Sequence, residues 1–466
     1  MITDKRALAL IALLSIVTHW FLFGAPKETV FDEVHFGKFI SGYATGEYYF
    51  DIHPPLGKLL IAGFGKLAGF KPEFGFAHIG AAYPDDSYKA LRFLPTLAGT
   101  LIPLALFWLA LLLGMRTPYA ALVGVAAAVE SALVVQSRFI LLDAFLLLFG
   151  ILTLCMYLRF RETAQWRFLI GVGIFGALAA SIKWTGGAFL LLALIAEGMR
   201  IAKKEHTLSF RELSFFTVVP IALYATVFWV HLSLLPNTGP GDAFMSREFQ
   251  ARLSGNAAAE DPLLKSKGML ASIVELNMEM YRSNARLTAT HPYGSPWYSW
   301  PLMTRSIFYW NSDKQVVAKT QIDGAWREVG VLPVEDRPGE KYKIYLIGNP
   351  LVWWGSSVAI GFLFFALRDP KKRTFAAVFI VGGYALSLLP FIGISRVMFL
   401  YHYFPALLFA LLALGYLCDQ ANVSRRSLAV LGALACIVFI YFAPITYGLP
   451  LGEQAFSARM WLSTWR

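Results

Sequence analysis

Cysteine is scarce in this chain, with three in 466 residues. Cys155, Cys418 and Cys436 all fall in apolar segments without CxxC spacing, which excludes a disulfide framework and a cysteine-built zinc site. Charge is also thin, at 15% of residues against 57% hydrophobic. A mean hydropathy of +0.56 is far above that of an ordinary soluble domain, so the chain belongs in a membrane. The long alternation of apolar and polar residues that marks an outer-membrane barrel is missing, as are internal repeats and low-complexity tracts.

What is present instead is a series of nearly uncharged runs, most long enough for a helix to cross a bilayer. They fall at residues 7–23, 92–113, 118–136, 140–158, 168–182, 185–200, 213–235, 351–367, 374–392, 397–417 and 427–446, which predicts an all-α polytopic bundle of about eleven transmembrane helices. Lys5 and Arg6 precede the first run as they would in a signal peptide, but the run is long and Pro26 follows it closely, so a retained first helix is expected. The formal net charge of +11 does not point to nucleic acid, because many of the Lys and Arg occupy short loops. Placing the N-terminus in the cytoplasm puts the clusters Arg159/Arg161/Arg167, Arg200/Lys203/Lys204/Arg211, Arg368/Lys371/Lys372/Arg373 and Arg425/Arg426 on the inside.

Three regions follow: an N-terminal transmembrane module at 1–235 with a first outer loop at 24–91, a large outer loop at 236–350, and C-terminal helices at 351–466. Residues 54–70 read as an interfacial helix rather than a span, because Lys58 and Lys66 interrupt a short apolar run. Within the large loop, Leu270 to Leu287 has helical periodicity. Gln315 to Ile347 mixes β-prone runs with turn signals at Asp323-Gly324 and Pro338-Gly339, which suggests a small α+β appendage.

The chemistry is expected in the first outer loop. Phe31-Asp32-Glu33-Val34-His35-Phe36-Gly37-Lys38 and Asp51-Ile52-His53-Pro54-Pro55 gather three carboxylates and two imidazoles beside hydrocarbon, where acids are costly to hold. Neighbouring side chains on a helix diverge by about 100°, so Asp32 and Glu33 suit two different tasks, one facing a substrate and one making a structural contact. A partly desolvated carboxylate there fits a general base, and an ion pair with Lys38, Lys58 or Arg138 is the bland alternative. The cluster also offers ligands of the kind a divalent cation takes, but no spacing diagnostic of a metal.

Arg138, Lys183, Arg396 and His402 all fall at outer turns, where cations suit an anionic substrate with a phosphate leaving group, or anchor spans at the headgroups. Asp143, about one turn inside, is a candidate structural partner for Arg138. His291, Tyr293 and Trp297 belong to an aromatic block, His291-Pro292-Tyr293-Gly294-Ser295-Pro296-Trp297-Tyr298-Ser299-Trp300-Pro301. Such a block can stack sugars, dock a peptide or simply sit in the interfacial belt.

Seven blocks in order, at 31–38, 53–58, 137–143, 181–186, 291–301, 348–354 and 399–406, resemble the protein O-mannosyltransferases over nearly the whole chain. The resemblance implies a type C glycosyltransferase fold and an inverting transfer of mannose from a polyprenyl or dolichyl phosphate to Ser or Thr of exported proteins, with the export machinery as a possible partner. It implies Asp32 as catalytic base and Glu33 as a positioning acid of the Asp-Glu pair, with His35, Asp51 and His53 around the pocket. Arg138 would contact the donor or the acid cluster; read from the residues themselves, Lys183, Arg396 and His402 join it as candidates for the donor phosphate, and His291, Tyr293 and Trp297 are candidates for the acceptor. No metal or other cofactor is expected. The β-trefoil repeats of eukaryotic members have no counterpart in the large loop, which points to a bacterial-type member of the inner membrane with its site on the periplasmic face. A lipid acceptor or another lipid-linked sugar is the alternative. A transporter would be expected to show repeats and midplane charges, and a non-catalytic scaffold would tolerate loss of Asp32.

Overall fold

The computed structural model describes residues 5–312, 315–322, 325–333 and 340–466. The first helix, α1, covers Lys5–Trp20. The loop after α1 carries α2 (Glu33–Thr45) and α3 (Leu56–Leu67), the second of these where an interfacial helix is expected. The bundle continues with α4 (Tyr88–Leu112), α5 (Thr117–Ala128), α6 (Ser131–Ser137), α7 (Asp143–Thr163), α8 (Trp166–Ile182), α9 (Gly187–Ala202), α10 (Phe210–Phe216) and α11 (Val218–Leu234). After the short α12 (Arg247–Gln250) and the amphipathic α13 (Met269–Arg286) come α14 (Pro350–Ala366), α15 (Phe375–Leu388), α16 (Phe404–Gln420), α17 (Arg425–Tyr447) and α18 (Glu453–Ser457).

Every one of the eleven apolar runs contains helix, but the span count is not reached. Among the described residues seven helices are long and apolar enough to cross a membrane, or eight if one bent pair counts as a span; α8 and α14 are apolar but only 17 residues each. The chain is a multi-pass membrane protein. The bent pair is α5 and α6, which meet at 56° where a straight span over 118–136 was expected. Glu130 causes the break: its buried carboxylate accepts from Ala132 N at 3.2 Å, starting α6 afresh, and also from Asn349 N at 3.0 Å. Asn349 in turn caps α14 and donates through Nδ2 to Val129 O and Ala435 O. The Gly348-Asn349-Pro350 motif is therefore a structural clamp, and a Cβ on Gly348 would lie 2.2 Å from the Trp353 ring.

The core runs through α4, α7 and α16, whose faces are almost wholly buried, while α11 and α17 turn much of their surface outward, as lipid-facing helices do. Strands β1 (Ile307–Asn311), β4 (Glu340–Leu346) and β5 (Pro450–Gly452) form an antiparallel sheet in the order β1-β4-β5, and β2 (Gln315–Ile322) pairs with β3 (Ala325–Pro333) as a separate hairpin. The turn signals at 323–324 and 338–339 lie outside the described residues. Unlike a detached appendage, the first sheet recruits its third strand from beyond α17. Phe31 donates its N–H to Tyr309 O at 3.1 Å and stacks on the Tyr309 ring at 4.2 Å, bringing β1 beside the acidic loop.

Candidate active site

The acidic loop is held by Glu33. Its carboxylate, fully buried in the first turn of α2, takes a bidentate pair from Arg92 of α4, with Nε to Oε1 and Nη2 to Oε2 both at 2.7 Å. It also accepts from Val30 N at 2.8 Å, Ile140 N at 2.9 Å and Tyr83 OH at 3.2 Å. Arg92 spends its remaining donors on the carbonyls of Gly24, Pro26 and Glu28. Such a buried, saturated pair leaves no lone pair for a substrate. Glu33, expected as the acid of the pair that helps position donor or acceptor, makes the structural contact: it fastens the loop to α4 and to the turn before α7.

Asp32 stands one residue earlier and is its opposite. Partly buried at the N-terminus of α2, it makes no capping bond, and its carboxylate accepts no hydrogen bond from a described residue. Burial pushes its carboxyl up from the ordinary 3.8 to about 7, with Lys183 pulling it down and the charges of Asp143 and Asp51 pushing further up. That is the setting of a group that can take a proton near neutral pH.

Lys183 fixes the other side. It is the extended residue that ends α8, φ −147° and ψ 145°, before a single 3-10 turn leads into α9. This tight connection needs glycine at 186, where a Cβ would meet Ala179 O at 2.3 Å. Lys183 Nζ donates to Asp143 Oδ1 at 2.7 Å, while Gln136 Nε2 donates to Asp143 Oδ2 at 2.6 Å. Asp143 is thus partnered by Lys183 and Gln136 and not by Arg138. Tyr309 of β1 donates its hydroxyl to Gln136 Oε1, extending the network to the sheet.

A cavity of about 350 Å³ opens beside this network. His53, Lys183, Arg396 and His402 line it together with Trp184, Thr185 and, from α13, Tyr281 and Asn284. Four nitrogen-bearing side chains from three separate turns therefore converge on one concavity. Burial together with Lys183, Lys58, Arg396 and His402 holds His53 neutral, well below the usual imidazole range. Asp51 pairs with the buried Lys58, whose Nζ also donates to His53 O at 2.9 Å and so anchors the Asp51 to His53 turn ahead of α3. His402 stacks on buried Trp300 at 5.8 Å and on Tyr401 at 4.7 Å.

Several expected members lie elsewhere. Arg138 is buried off the cavity lining, donating from Nη2 to the carbonyls of Phe21 and Leu22 at 2.8 Å and stacking over Tyr447 at 4.5 Å, so it braces the turn after the first helix, while its Nε and Nη1 are buried without a hydrogen-bond partner among the described residues. His35 is exposed on α2, off the cavity wall. His291 is exposed, and Tyr293 and Trp297 pack half-buried outside the cavity lining; in their block it is Trp300 that reaches the wall, from behind His402 and Phe391. The residues missed are Gln136, Tyr309, Trp184, Tyr281 and Asn284. Gln136 carries a usable signal, an amide next to Ser137-Arg138 in an apolar run. Among the described residues no three His, Cys, Asp or Glu side chains gather to hold a metal ion.

The fold and cavity define a polytopic helical membrane protein with a type C glycosyltransferase architecture. Residues 9–236 match the family model of dolichyl-phosphate-mannose-protein mannosyltransferase, and residues 269–465 that of the C-terminal four TMM region of protein-O-mannosyltransferase. The chain belongs to the protein O-mannosyltransferase family. It is 36% identical over 263 residues to protein O-mannosyltransferase 1 of Drosophila pseudoobscura pseudoobscura, covering 53% of this chain and 29% of that one. It is 32% identical over 269 residues to dolichyl-phosphate-mannose–protein mannosyltransferase 1 of Saccharomyces cerevisiae, covering 54% and 33%. The matched stretch thus spans about a third of these relatives' length. The solved S. cerevisiae protein O-mannosyltransferase Pmt1-Pmt2 complex bound to the sugar donor superposes with a TM-score of 0.86 at 21% identity, over 100% of this chain and 93% of that one. The Archaeoglobus fulgidus oligosaccharyltransferase tethered with an acceptor peptide shares the fold more loosely, with a TM-score of 0.52 over 98% of this chain and 56% of that one at 16% identity.

Proposed function

We propose that this protein transfers mannose, with inversion, from a polyprenyl phosphate donor to Ser or Thr hydroxyls of exported polypeptides. The observation that carries the reading is the contrast between two adjacent acids: Glu33 is spent on Arg92, while Asp32 keeps an unbonded carboxylate within electrostatic reach of the cation-lined cavity. In the reaction, the acceptor oxygen attacks the anomeric carbon as the bond from that carbon to the phosphate oxygen breaks. The bonding pair leaves with the phosphate, and Asp32 takes the hydroxyl proton. Lys183 and Arg396 offset the charge gathering on the phosphate, with the rings of His53 and His402 as further hydrogen-bonding groups. These cations supply that stabilisation from protein groups, so the reaction is proposed to need no metal or other cofactor.

The basic clusters between spans support an N-terminus in the cytoplasm and a periplasmic site in a bacterial inner membrane, where acceptors arrive as they are exported. The test is mass spectrometry of a Ser/Thr-rich peptide incubated with purified protein and polyprenyl-phosphomannose. A hexose added by wild type and not by Asp32→Asn is the expected result. A lipid modified while every peptide stays bare would replace the acceptor, and no transfer to either would refute the proposal.

A further inference from the structure

The bundle carries a second concave, charged site at its other end. α7 begins at Asp143, beside the active site, and Arg161 lies eighteen residues along it, about 27 Å away at the rise of an α-helix. There Arg161 meets Arg200 and Lys203 from the end of α9 and Arg373 from just before α15, around a cavity of about 120 Å³. That is well above the roughly 10–15 Å³ that one water needs. α9 and α15 join the same two ends of the bundle in opposite directions, since Lys183 precedes the start of α9 and Phe391 and Gly393 follow the end of α15 on the active-site cavity.

Orientation-setting cations would be expected to splay into solvent. Here at least three are held. Arg161 is stacked 3.8 Å over the Phe375 ring, Arg200 Nη1 bonds the buried Glu197 at 3.0 Å, and Arg373 Nε donates to Leu367 O at 2.8 Å. Glu197 itself is bound by Tyr157 OH and His206, so its charge is shared rather than turned on the cavity. Glu205 is the one acid on the lining, against four cations, and Phe375 and Met199 provide an apolar wall.

We propose that this cavity binds a phosphate-bearing anion at the membrane face opposite the active site. A phospholipid headgroup and free phosphate share the chemistry that the four cations recognise. The apolar wall and the position at helix ends favour the headgroup.

The test is native mass spectrometry of the full chain in detergent with phosphatidylglycerol added, and separately with inorganic phosphate. Wild type should retain one phosphatidylglycerol, and Lys203→Gln/Arg373→Gln should bind it about thirty-fold more weakly, the loss expected for two basic side chains at a membrane surface. Arg425→Gln/Arg426→Gln, another basic pair off this cavity, should bind as wild type does. Glu205→Gln should bind more tightly, a gain that misfolding cannot mimic. Retention of the lipid without competition by phosphate assigns the headgroup as ligand, and phosphate retained alone assigns the free anion. Equal loss in both double variants would mean diffuse attraction and overturn the proposal, as would no binding of either probe.

Discussion

Asp32→Asn is expected to abolish transfer and at the same time to stabilise the protein, in a pH-dependent manner. The carboxyl titrates near 7 in the folded chain against an ordinary 3.8, chiefly because it is desolvated. Between those values the native state holds a proton that the unfolded chain has released, so stability conferred by the protonated group falls as pH rises through the window. Above pH 7 the ionised group costs the fold as much as about 4 kcal/mol, at about 1.4 kcal/mol for each ten-fold change in proton affinity. Asparagine removes that charge but brings an amide that wants partners, which reduces the expected gain to about 1–3 kcal/mol. The difference between the two proteins should be near zero below pH 4, grow between pH 4 and 7, and level off above. Thermal unfolding in detergent at a series of pH values measures it. Transfer should meanwhile fall by about 10²–10⁴-fold, the usual contribution of a general base. A variant less stable than wild type at pH 8, or one that transfers mannose at close to the wild-type rate, would refute the reasoning, because either shows that Asp32 is not a desolvated, unpaired acid at the reacting hydroxyl.

Wild-type kcat/KM should lose activity on the acid side with a midpoint near 7, as Asp32 takes up its proton, and a rate unchanged down to pH 5 would exclude it as the base. Glu33→Gln should cost about 3–5 kcal/mol of stability by leaving Arg92 buried without its counter-charge, and denaturation should show this, while the chain that remains folded also loses transfer because the loop that places Asp32 is loosened. Arg396→Gln should lower kcat/KM for the donor by about 10–100-fold with little change in unfolding, since the side chain lines the cavity and makes no hydrogen bond or ion pair among the described residues. EDTA should leave the rate unchanged, and loss restored by a divalent ion would move phosphate stabilisation from Lys183 and Arg396 to a metal.

Much of this was legible in the sequence because hydrophobicity, charge and turn chemistry are local. The eleven apolar runs each hold helix, and the helix after Pro55 and the amphipathic helix near 270–287 fall within a few residues of their expected places. What is written across the chain was not legible. The bend between α5 and α6 depends on Glu130 meeting Asn349, 219 residues away, and the third strand of the sheet comes from residues 450–452. Arg138 and Lys183 look alike as single cations at outer turns. Only packing decides that one turns back to the carbonyls of Phe21 and Leu22 while the other meets Asp143 at the cavity. The aromatic block was misread for a related reason: rings that can stack a sugar also fill a wall, and Trp300 does so behind His402.

The division of labour between Asp32 and Glu33 explains why a catalytic acid can sit in a loop at all. Loop positions are imprecise unless something rigid holds them, and a base must stand within hydrogen-bond reach of its proton. Glu33 provides the hold by joining Val30, Tyr83, Arg92 and Ile140 at one buried point, so the first turn of α2 is tied to α4 and to the turn that leads into α7. That same α7 carries Asp143, which holds Lys183 on the cavity. The proposed base Asp32 and Lys183, the cation proposed to meet the phosphate, are thus referred to one frame, and the peptide bond between residues 32 and 33 transmits it. Swapping the two acids, Asp32→Glu with Glu33→Asp, keeps every charge but shortens the anchor by one methylene. Such a chain should lose both the Arg92 geometry and the placement of the base, failing as a catalyst even where it folds.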